Sequence, residues 1–242
     1  MKRFPGMKAL IIAAGEGSRF SNLTRETPKP LLEVSGIPLI ERIITNLKNA
    51  EITDIVIVVG YLGEKITQKL GNGQKLGVKI EYARNNEWKK KNGISVLKAK
   101  NTLKEPFFLL MSDHLFDEEI VKQMKEVQLK DEVMLAVDRN LSSGWIDLDD
   151  VTKVLEDKNK IMDIGKNITN YNVFDTGIFL CTSTLFKALE ESMVDDDCSL
   201  SDGMKLLAKQ GKAKTFDIQN RFWVDVDTPE FLEKAEKRFS KE

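Results

Sequence analysis

Cysteine and histidine are scarce in this sequence of 242 residues, which contains two cysteines and one histidine. Cys181 and Cys198 cannot provide a disulfide framework for a chain of this size, and neither lies in a Cys-x-x-Cys motif. With His114 as the only histidine, zinc sites built from several thiolates and imidazoles are excluded as well. We therefore expect a cytoplasmic protein whose thiols stay reduced, and we assign neither cysteine a role.

An excess of charge of one sign and long hydrophobic runs are also absent. The sequence has 37 Lys and Arg residues against 38 Asp and Glu residues, so the formal net charge is −1. This balance argues against a nucleic-acid partner bound through bulk positive charge. No stretch approaches the roughly 20 apolar residues that a membrane-spanning helix needs, so we expect no stable insertion into a membrane.

The N-terminus superficially resembles a secretion signal, because Lys2 and Arg3 precede the apolar residues 9–14. That run is too short for a signal peptide, and Gly15-Glu16-Gly17 follows it where a cleavage site would be needed. We interpret residues 1–6 as an N-terminal extension. Because no repeat, linker or low-complexity tract interrupts the sequence, we expect residues 1–242 to form a single domain.

Short apolar runs alternate with segments of helical periodicity along most of the chain, which is typical of an α/β fold. The predicted strands cover residues 9–13, 55–59, 78–82, 107–111, 133–137 and 173–181. The predicted helices begin at residue 38 and cover residues 62–70, 117–129, 184–192, 199–209 and 228–239. We expect a mixed, mostly parallel sheet with helices on both faces and a ligand crevice at the carboxyl ends of the strands. Residues 145–172 break this alternation and predict a small β-rich excursion.

A glycine-rich turn follows the first predicted strand, in Ala13-Ala14-Gly15-Glu16-Gly17-Ser18-Arg19-Phe20. Small residues at such a turn allow backbone N–H groups to come close to an anion. Two familiar phosphate loops are excluded. The dinucleotide fingerprint needs a third glycine where Phe20 stands, and the Gly-Lys-Ser/Thr ending of a P-loop is missing. By itself, the turn is equally compatible with a purely structural role.

A lysine in a rigid setting comes ten residues after the arginine of this turn. Lys29 lies between Pro28 and Pro30, which restrict the backbone and keep the lysine out of a regular helix. Together with Arg19 and the glycine turn, Lys29 would form a cationic cradle suited to a triphosphate and a second phosphate group.

Three aspartates are candidates for binding a divalent cation. Asp113 follows the predicted strand 107–111, where its carboxylate would overhang the crevice. Asp225 and Asp227 alternate in an extended segment, so both would face the same side. Two alternatives stay open at this point: Asp227 is also a plausible N-cap for the helix that follows, and Asp113 a plausible turn residue.

The segments Ala13-Ala14-Gly15-x-Gly17-x-Arg19 and Thr27-Pro28-Lys29-Pro30-Leu31 resemble the signature of the nucleotidyltransferases that act on sugar 1-phosphates and phosphocholine. The resemblance implies a Rossmann-like, GT-A-like fold. It also implies that the turn binds the nucleotide, that Arg19 and Lys29 are catalytic, and that Asp113 and Asp227 hold Mg²⁺ with Asp225 as a helper. The implied nucleotide-binding residues of the turn are Ala13, Ala14, Gly15, Gly17, Ser18 and Arg19.

Two later segments resemble particular cytidylyltransferases within this family. Residues 85–95 resemble the nucleobase-side segment of phosphocholine-type cytidylyltransferases, which implies that Asn92, Gly93 and Ser95 bind the nucleotide. Residues 165–177 resemble the inositol-1-phosphate cytidylyltransferases. In that segment the implied acceptor-binding residues, beside Lys29, are Lys166, Asp175, Thr176 and Gly177. A solvated surface lysine remains an alternative for Lys166.

The resemblance implies that CTP and inositol 1-phosphate react to CDP-inositol and diphosphate. In related fused proteins a membrane-embedded half uses this product to make an osmolyte of heat-loving microbes. Such a half is not expected here, so we expect coupling to a separate membrane-bound synthase. The alternatives are phosphocholine as acceptor, a sugar 1-phosphate with UTP or dTTP, or a nucleotide-binding subunit without activity. For choline, Trp145, Tyr171 and Phe174 could supply an aromatic pocket. For His114, a site-flanking and a structural role are equally compatible with the sequence.

Overall fold

The computed structural model describes residues 6–20, 24–104 and 106–240. Of the predicted N-terminal extension over residues 1–6, only Gly6 lies within these ranges. Among the described residues, no helix combines the length and the hydrophobicity needed to cross a membrane.

The described residues form thirteen strands, which we number in chain order. They are β1 (Lys8–Ala13), β2 (Glu33–Val34), β3 (Ile37–Pro38), β4 (Asp54–Val59), β5 (Lys79–Arg84), β6 (Phe107–Met111), β7 (His114–Phe116), β8 (Val133–Asp138), β9 (Lys153–Asp157), β10 (Lys160–Gly165), β11 (Val173–Cys181), β12 (Ala213–Asp217) and β13 (Trp223–Asp225). Seven α-helices connect them within the same part of the chain. They are α1 (Leu39–Asn49), α2 (Gly63–Leu70), α3 (Asn92–Leu97), α4 (Glu118–Met124), α5 (Thr184–Glu191), α6 (Leu200–Lys209) and α7 (Pro229–Phe239).

One large mixed sheet organises the molecule, in the order β5-β4-β1-β6-β11-β8-β12-β10-β9. β5, β4, β1 and β6 are parallel neighbours, and β12 runs parallel to β8. Of the strands in this sheet, only β11 and β10 run in the opposite direction. The prediction of a mixed, mostly parallel sheet in a Rossmann-like α/β fold is therefore confirmed.

The alternating side chains of β1 divide the core into two layers. Ile11 belongs to a cluster that α1, α2 and α4 cover, whereas Leu10 and Ile12 belong to one that α3, α5 and α6 cover. Successive side chains of a strand point to opposite faces of the sheet, so a strand that is apolar throughout must be covered by other elements on both faces. The predicted placement of helices on both faces follows, and each fully buried Leu or Ile contributes about 1.5–3 kcal/mol. A third cluster joins α7 to Val224 and Val226.

Two functional segments meet where parallel strands end. Ile12 in β1 lies opposite Met111 in β6, so the glycine turn after β1 and Asp113 after β6 emerge side by side. β7 then leaves the large sheet and pairs with β13 in antiparallel fashion, with His114 opposite Asp225. The topology thus brings residues about 110 positions apart to one edge.

The predicted β-rich excursion over residues 145–172 contains the hairpin β9–β10. This hairpin continues the large sheet, because β10 pairs with β12 and β9 pairs with the start of β11. Residues 145–152, which precede the hairpin, form turns without strand structure.

The prediction of a helix over residues 117–129 was too long, because α4 ends at Met124. Val127 and Leu129 still pack against the core from the irregular segment that follows. Their burial produced the apolar pattern, and that burial does not require a helix.

A buried hydrogen bond anchors β13, the strand that carries Asp225. The indole Nε1 of Trp223 donates to Oδ2 of Asp138 at 2.8 Å, and both residues are at most 4% exposed. We expect Trp223→Phe to lower the free energy of unfolding by about 1–3 kcal/mol, because it leaves a buried carboxylate with one donor fewer. Urea denaturation followed by circular dichroism measures this change. Trp88→Phe, at a partly exposed tryptophan, is the matched control, and equal stability losses in the two variants would contradict the prediction.

Candidate active site

Lys29 lies at the centre of the site and is only 6% exposed. A short 3₁₀ turn, Lys29–Leu31, orients its side chain. The Nζ atom lies 2.6 Å from Oδ2 of Asp113 and 3.9 Å from Oδ1 of Asp225, and it also contacts Asp227. Burial by itself would lower the pKa of this ammonium group, but the surrounding carboxylates outweigh that effect and raise the pKa above its usual value. Lys29 is therefore charged at any physiological pH.

The glycine turn is shaped around this lysine. Gly17 has a φ of +65°, and a Cβ atom there would lie 2.9 Å from Cβ of Lys29. A glycine is needed for both reasons, the left-handed backbone and the close approach. Gly15 differs, because a Cβ atom at this position would have nothing within 4 Å. The backbone at Gly15 thus faces open space, as a ligand-facing turn requires.

Asp113 and Asp227 are held as carboxylates by their neighbours. Burial would raise the pKa of Asp113, but Lys29 and His114 keep that pKa below its usual value. The pKa of Asp227 is also lowered, since Lys29 outweighs burial and the repulsion from Asp113. Asp227 is not the N-cap of α7, because Thr228 occupies that position and accepts from the backbone N–H of Phe231. The capping alternative for Asp227 is therefore wrong.

Asp150 is a site residue that the sequence analysis missed. Its carboxylate lies 2.7 Å from a guanidinium nitrogen of Arg19 and 2.5 Å from Nζ of Lys166. Arg19 also pairs with Asp227. The acidic run Asp147-Leu148-Asp149-Asp150 was the available signal, but the sequence did not indicate which of its members faces inward.

Two groups of neighbouring side chains offer ligand atoms that could hold a cation. Asp150, Asp225 and Asp227 offer ligand atoms within 4.8 Å of one another, and Asp113, His114 and Asp225 form a second such group. Asp225 belongs to both groups, and its buried Oδ1 has no hydrogen-bond partner among the described residues. A buried carboxylate oxygen without a hydrogen bond, beside other carboxylates, belongs to the oxygen-rich environment that a hard divalent cation prefers, so these residues fit one.

Two cavities meet at these carboxylates. One, which we call the nucleotide cavity after the residues predicted to bind nucleotide, is lined by Ala13, Gly15, Gly17, Ser18, Arg19, Lys29, Trp88, Lys90, Asn92, Ser95, Asp113 and Asp227, among others. The other, which we call the acceptor cavity after the residues predicted to bind the acceptor, is lined by Asp113, Trp145, Asp147, Asp150, Lys166, Asp175, Gly177, Ser201, Trp223, Asp225 and Asp227, among others. Asp113 and Asp227 line both cavities, so a group bound in each would meet its partner there.

Most of the residues predicted to bind nucleotide line the nucleotide cavity, but Ala14 and Gly93 do not. Ala14 is buried, and its carbonyl accepts from the backbone N–H of Tyr61 at 3.0 Å. Gly93 packs on Cys198, since a Cβ atom there would lie 2.5 Å from that residue's carbonyl oxygen. This contact accounts for the glycine without any ligand.

In segment 165–177, three of the residues predicted to bind the acceptor line the acceptor cavity, and the fourth supports the strand behind it. Lys166, Asp175 and Gly177 line the acceptor cavity. Burial raises the pKa of Asp175 to about 6, although the backbone N–H of Gly177 donates to its carboxylate at 2.7 Å. Thr176 is 1% exposed, and its hydroxyl donates to the carbonyl of Ala136. Thr176 therefore holds the strand in place and does not reach the cavity.

Of the aromatic residues considered for a choline pocket, only Trp145 lines the acceptor cavity. Phe174 is fully buried in the core, and Tyr171 packs against it with ring centroids 5.6 Å apart. Phe179 and Trp223 also line this cavity, so it offers both aromatic faces and carboxylates to an acceptor.

Two further residues, Trp88 and Lys90, line the nucleotide cavity but were not among those predicted to bind nucleotide. Lys90 belongs to the basic run Lys89-Lys90-Lys91, of which Lys90 is the member that lines the cavity. Trp88 packs against Tyr61 with ring centroids 5.2 Å apart. In the sequence, the feature that could have indicated Trp88 was its position four residues before Asn92, which was predicted to bind nucleotide.

His114 is buried beside the carboxylates. Burial lowers the pKa of its imidazole, but Asp225 and Asp113 outweigh this effect, and together with the carbonyl of Thr176 they raise that pKa to about 10. The imidazole is therefore positively charged at neutral pH. With Arg19, Lys29 and Lys166 it balances the charges of Asp113, Asp150, Asp225 and Asp227.

Comparison with known proteins gives a consistent result. The sequence profile described as nucleotidyl transferase matches residues 8–242. A protein of Aquifex aeolicus named bifunctional IPC transferase and DIPP synthase is 36% identical over 95% of this chain and 51% of its own length. A protein of the same name from Rubrobacter xylanophilus is 31% identical over 96% of this chain and 52% of its own length. The chain thus spans about half the length of these relatives.

The chain is also similar to solved structures over nearly its whole length. The inositol-1-phosphate CTP transferase from T. maritima superimposes with a TM-score of 0.81, at 29% sequence identity and over 98% of both chains. The relatives and this structure therefore agree on the fold and on the type of transferase that the chain resembles.

The single histidine makes the raised pKa directly measurable. In protein freed of metal with EDTA, we expect the NMR signals of the imidazole to show no titration between pH 6 and 8 and a midpoint at a pH of about 10. Since the pKa in unfolded protein is about 6.5, the stabilisation by His114 should be complete below that pH and disappear as the pH rises to 10. A midpoint near 6.5 in the folded protein would contradict this assignment.

A substitution at Gly93 tests whether this glycine is required for packing or for binding nucleotide. Because its Cβ atom would collide with the backbone of Cys198, we expect Gly93→Ala to lower the free energy of unfolding by about 1–3 kcal/mol. Gly15→Ala, where the Cβ atom meets open space, is the matched control and should leave stability nearly unchanged. Thermal unfolding of the two variants without ligand makes the comparison, and a stable Gly93→Ala variant would refute the packing explanation.

Proposed function

Because the chain belongs to the nucleotidyl transferase family, we propose that it is a cytidylyltransferase that converts CTP and inositol 1-phosphate to CDP-inositol and diphosphate. The observation that carries this proposal is the junction of the nucleotide cavity and the acceptor cavity at Asp113 and Asp227. The choice of substrates is supported by the similarity to the inositol-1-phosphate CTP transferase from T. maritima.

The proposed reaction needs positioning more than proton transfer. A phosphate oxygen of the acceptor attacks the α-phosphorus of the nucleotide, the new P–O bond forms, and diphosphate departs on the opposite side. A phosphate monoester is already ionised at neutral pH, so no general base is required. The contribution of the protein is to align two anions and to neutralise their mutual repulsion.

Arg19 and Lys29 are the proposed catalytic cations. Arg19 lies next to the glycine turn in the nucleotide cavity, where it would bind the β- and γ-phosphates. Lys29 lies beside the carboxylates shared by both cavities, where it would contact the α-phosphate and the acceptor phosphate. Asp113, Asp150 and Asp227 neutralise these cations in the free protein, so the phosphates would replace carboxylates as their partners.

We propose that Asp113, Asp225 and Asp227 hold Mg²⁺, with Asp150 as an additional carboxylate. The Oδ1 atom of Asp225, which accepts no hydrogen bond from the described residues, and the oxygen-only donor set of Asp150, Asp225 and Asp227 support this choice. When bound, the ion would neutralise charge on the phosphates and on the departing diphosphate.

On the acceptor side, we propose that Lys166 binds the acceptor phosphate and that Asp175 accepts hydrogen bonds from ring hydroxyls. Lys166 is half-exposed and paired with Asp150, so it can turn towards a phosphate at low cost. Asp175 is fixed by the backbone of Gly177 and faces the cavity.

We further propose that the reaction takes place in the cytoplasm, and that a separate membrane-bound synthase uses CDP-inositol to make an osmolyte. The two buried cysteines are unpaired, which fits a reducing compartment. The relatives whose names combine an IPC transferase with a DIPP synthase support a link between the two activities.

A substrate panel tests the proposed reaction. We expect diphosphate release with Mg²⁺ to be confined to CTP with inositol 1-phosphate, when CTP, UTP, dTTP, ATP and GTP are crossed with inositol 1-phosphate, phosphocholine and glucose 1-phosphate. Diphosphate release with another pair would show that the proposed substrates are wrong and that the proposed type of reaction is right. Tight CTP binding without release on any acceptor would favour a nucleotide-binding subunit.

Two substitutions separate the proposed roles. Asp113→Asn should lower kcat by about 100-fold or more, because it removes a metal-binding charge beside Lys29. Asp175→Asn should mainly raise the KM for inositol 1-phosphate, by about 10-fold, as expected for the loss of a hydrogen bond to a charged group. Steady-state kinetics at saturating CTP measures both values, and near-normal turnover by Asp113→Asn would show that the metal assignment is wrong.

A further inference from the structure

His114 contacts two parts of the site: the backbone of Thr176, next to Asp175, and the carboxylates of Asp113 and Asp225. Its Nδ1 atom lies 2.7 Å from the carbonyl oxygen of Thr176, and since that oxygen only accepts, Nδ1 carries the proton. Its Nε2 atom lies 3.4 Å from Oδ2 of Asp225 and 3.7 Å from Oδ1 of Asp113. One ring thus contacts β11 on the acceptor side and the carboxylates on the metal side.

The surroundings of the ring leave it little freedom. The imidazole stacks on Trp223 with centroids 6.0 Å apart and an interplanar angle of 29°, and only 12% of its side chain is exposed. Gly177, with a φ of +74°, also lies against the ring, since a Cβ atom there would collide with Nδ1 of His114. The ring therefore occupies the space that any other residue at position 177 would need.

The segment held by Nδ1 is irregular. The pairing of β11 with β8 shifts in register between Asp175 and Phe179, so this stretch cannot rely on regular ladder bonds. It is held by the hydroxyl of Thr176 on Ala136, by the bond from the backbone N–H of Gly177 to the carboxylate of Asp175, by the bond from the backbone N–H of Asp175 to Thr152, and by His114. His114 is thus one of the groups that hold the segment carrying Asp175, and the same ring faces Asp225.

The two carboxylate oxygens of Asp225 have different surroundings. Oδ2 faces Nε2 of His114, whereas the buried Oδ1 accepts no hydrogen bond from the described residues and lies 3.9 Å from Nζ of Lys29. An outer partner that holds one oxygen of a metal-binding carboxylate fixes the direction of the other, and losing such a partner typically weakens metal affinity or activity 10–100-fold.

We propose that His114 is a positioning residue that fixes Asp225 for the cation and residues 175–177 for the acceptor, and so couples the two sides of the site. This inference rests on the proposed function for its acceptor side. It does not require His114 to touch substrate or to exchange a proton.

Conservative substitutions separate the two contacts. The amide nitrogen of an asparagine reaches the position of Nδ1, and that of a glutamine reaches the position of Nε2. His114→Asn should therefore keep the bond to Thr176 and lose the contact with Asp225, and His114→Gln should do the reverse. His114→Phe should lose both contacts while keeping the stack on Trp223.

The metal side is read out by Mn²⁺ binding to the protein without nucleotide or acceptor, from the EPR signal of free Mn²⁺. We expect His114→Phe and His114→Asn to bind Mn²⁺ about 10–100-fold more weakly than the unsubstituted protein, with His114→Gln closer to it. Asp117→Asn, at the N-cap of α4, is the control for the loss of a polar group outside the cluster. Unchanged or tighter Mn²⁺ binding by folded His114→Asn would overturn the proposal.

The acceptor side is read out by kinetics at saturating Mn²⁺ and CTP. We expect the KM for inositol 1-phosphate to rise about 10-fold in His114→Gln and to change little in His114→Asn, as one bond to Thr176 is lost or kept. Equal losses in the two variants would show a merely structural role and overturn the coupling. If the unsubstituted protein released no diphosphate, the proposed function would fail, while the Mn²⁺ comparison would still decide whether His114 positions Asp225.

Discussion

The buried ammonium group of Lys29 is the constraint on which the site depends. It brings together a turn near the N-terminus, the end of a central strand and a segment close to the C-terminus, through Asp113 and Asp227. A buried charge is tolerated only with such partners, and removing one of them leaves the other charge uncompensated. The stability of this edge of the sheet and its chemistry therefore rest on the same contacts.

In the proposed reaction, the balance of charges around Lys29 allows one site to receive two anions. In the free protein, Arg19 and Lys166 both pair with Asp150, so the cations that we propose to bind phosphates already have a carboxylate partner. Phosphates and a divalent cation can exchange partners with these pairs without creating an unpaired charge. Since Arg19 and Lys166 are about half-exposed, their exchange is less costly than that of buried Lys29.

The site also joins rigid and irregular structure. β1 and β6 end in register and place the glycine turn beside Asp113. The acceptor side is built from turns at residues 145–152 and from the register shift in β11. A fixed nucleotide side with a more variable acceptor side is the arrangement expected when one fold serves many acceptors. In this protein His114 spans the two parts.

The sequence by itself determined the α/β fold, the glycine turn, Lys29 between its prolines and the three aspartates. These features depend on local rules: apolar period, the backbone limits of proline and glycine, and the position of polar residues at strand ends. Tertiary structure decided the rest. Asp150 is distinguished from Asp147 and Asp149 only by the packing of its turn against Arg19 and Lys166. Gly93 is explained by a neighbour 105 positions away, and the place of His114 follows from the pairing of β7 with β13. Contacts between residues so distant in sequence leave no periodic or spacing signal, because they arise only when the sheet assembles.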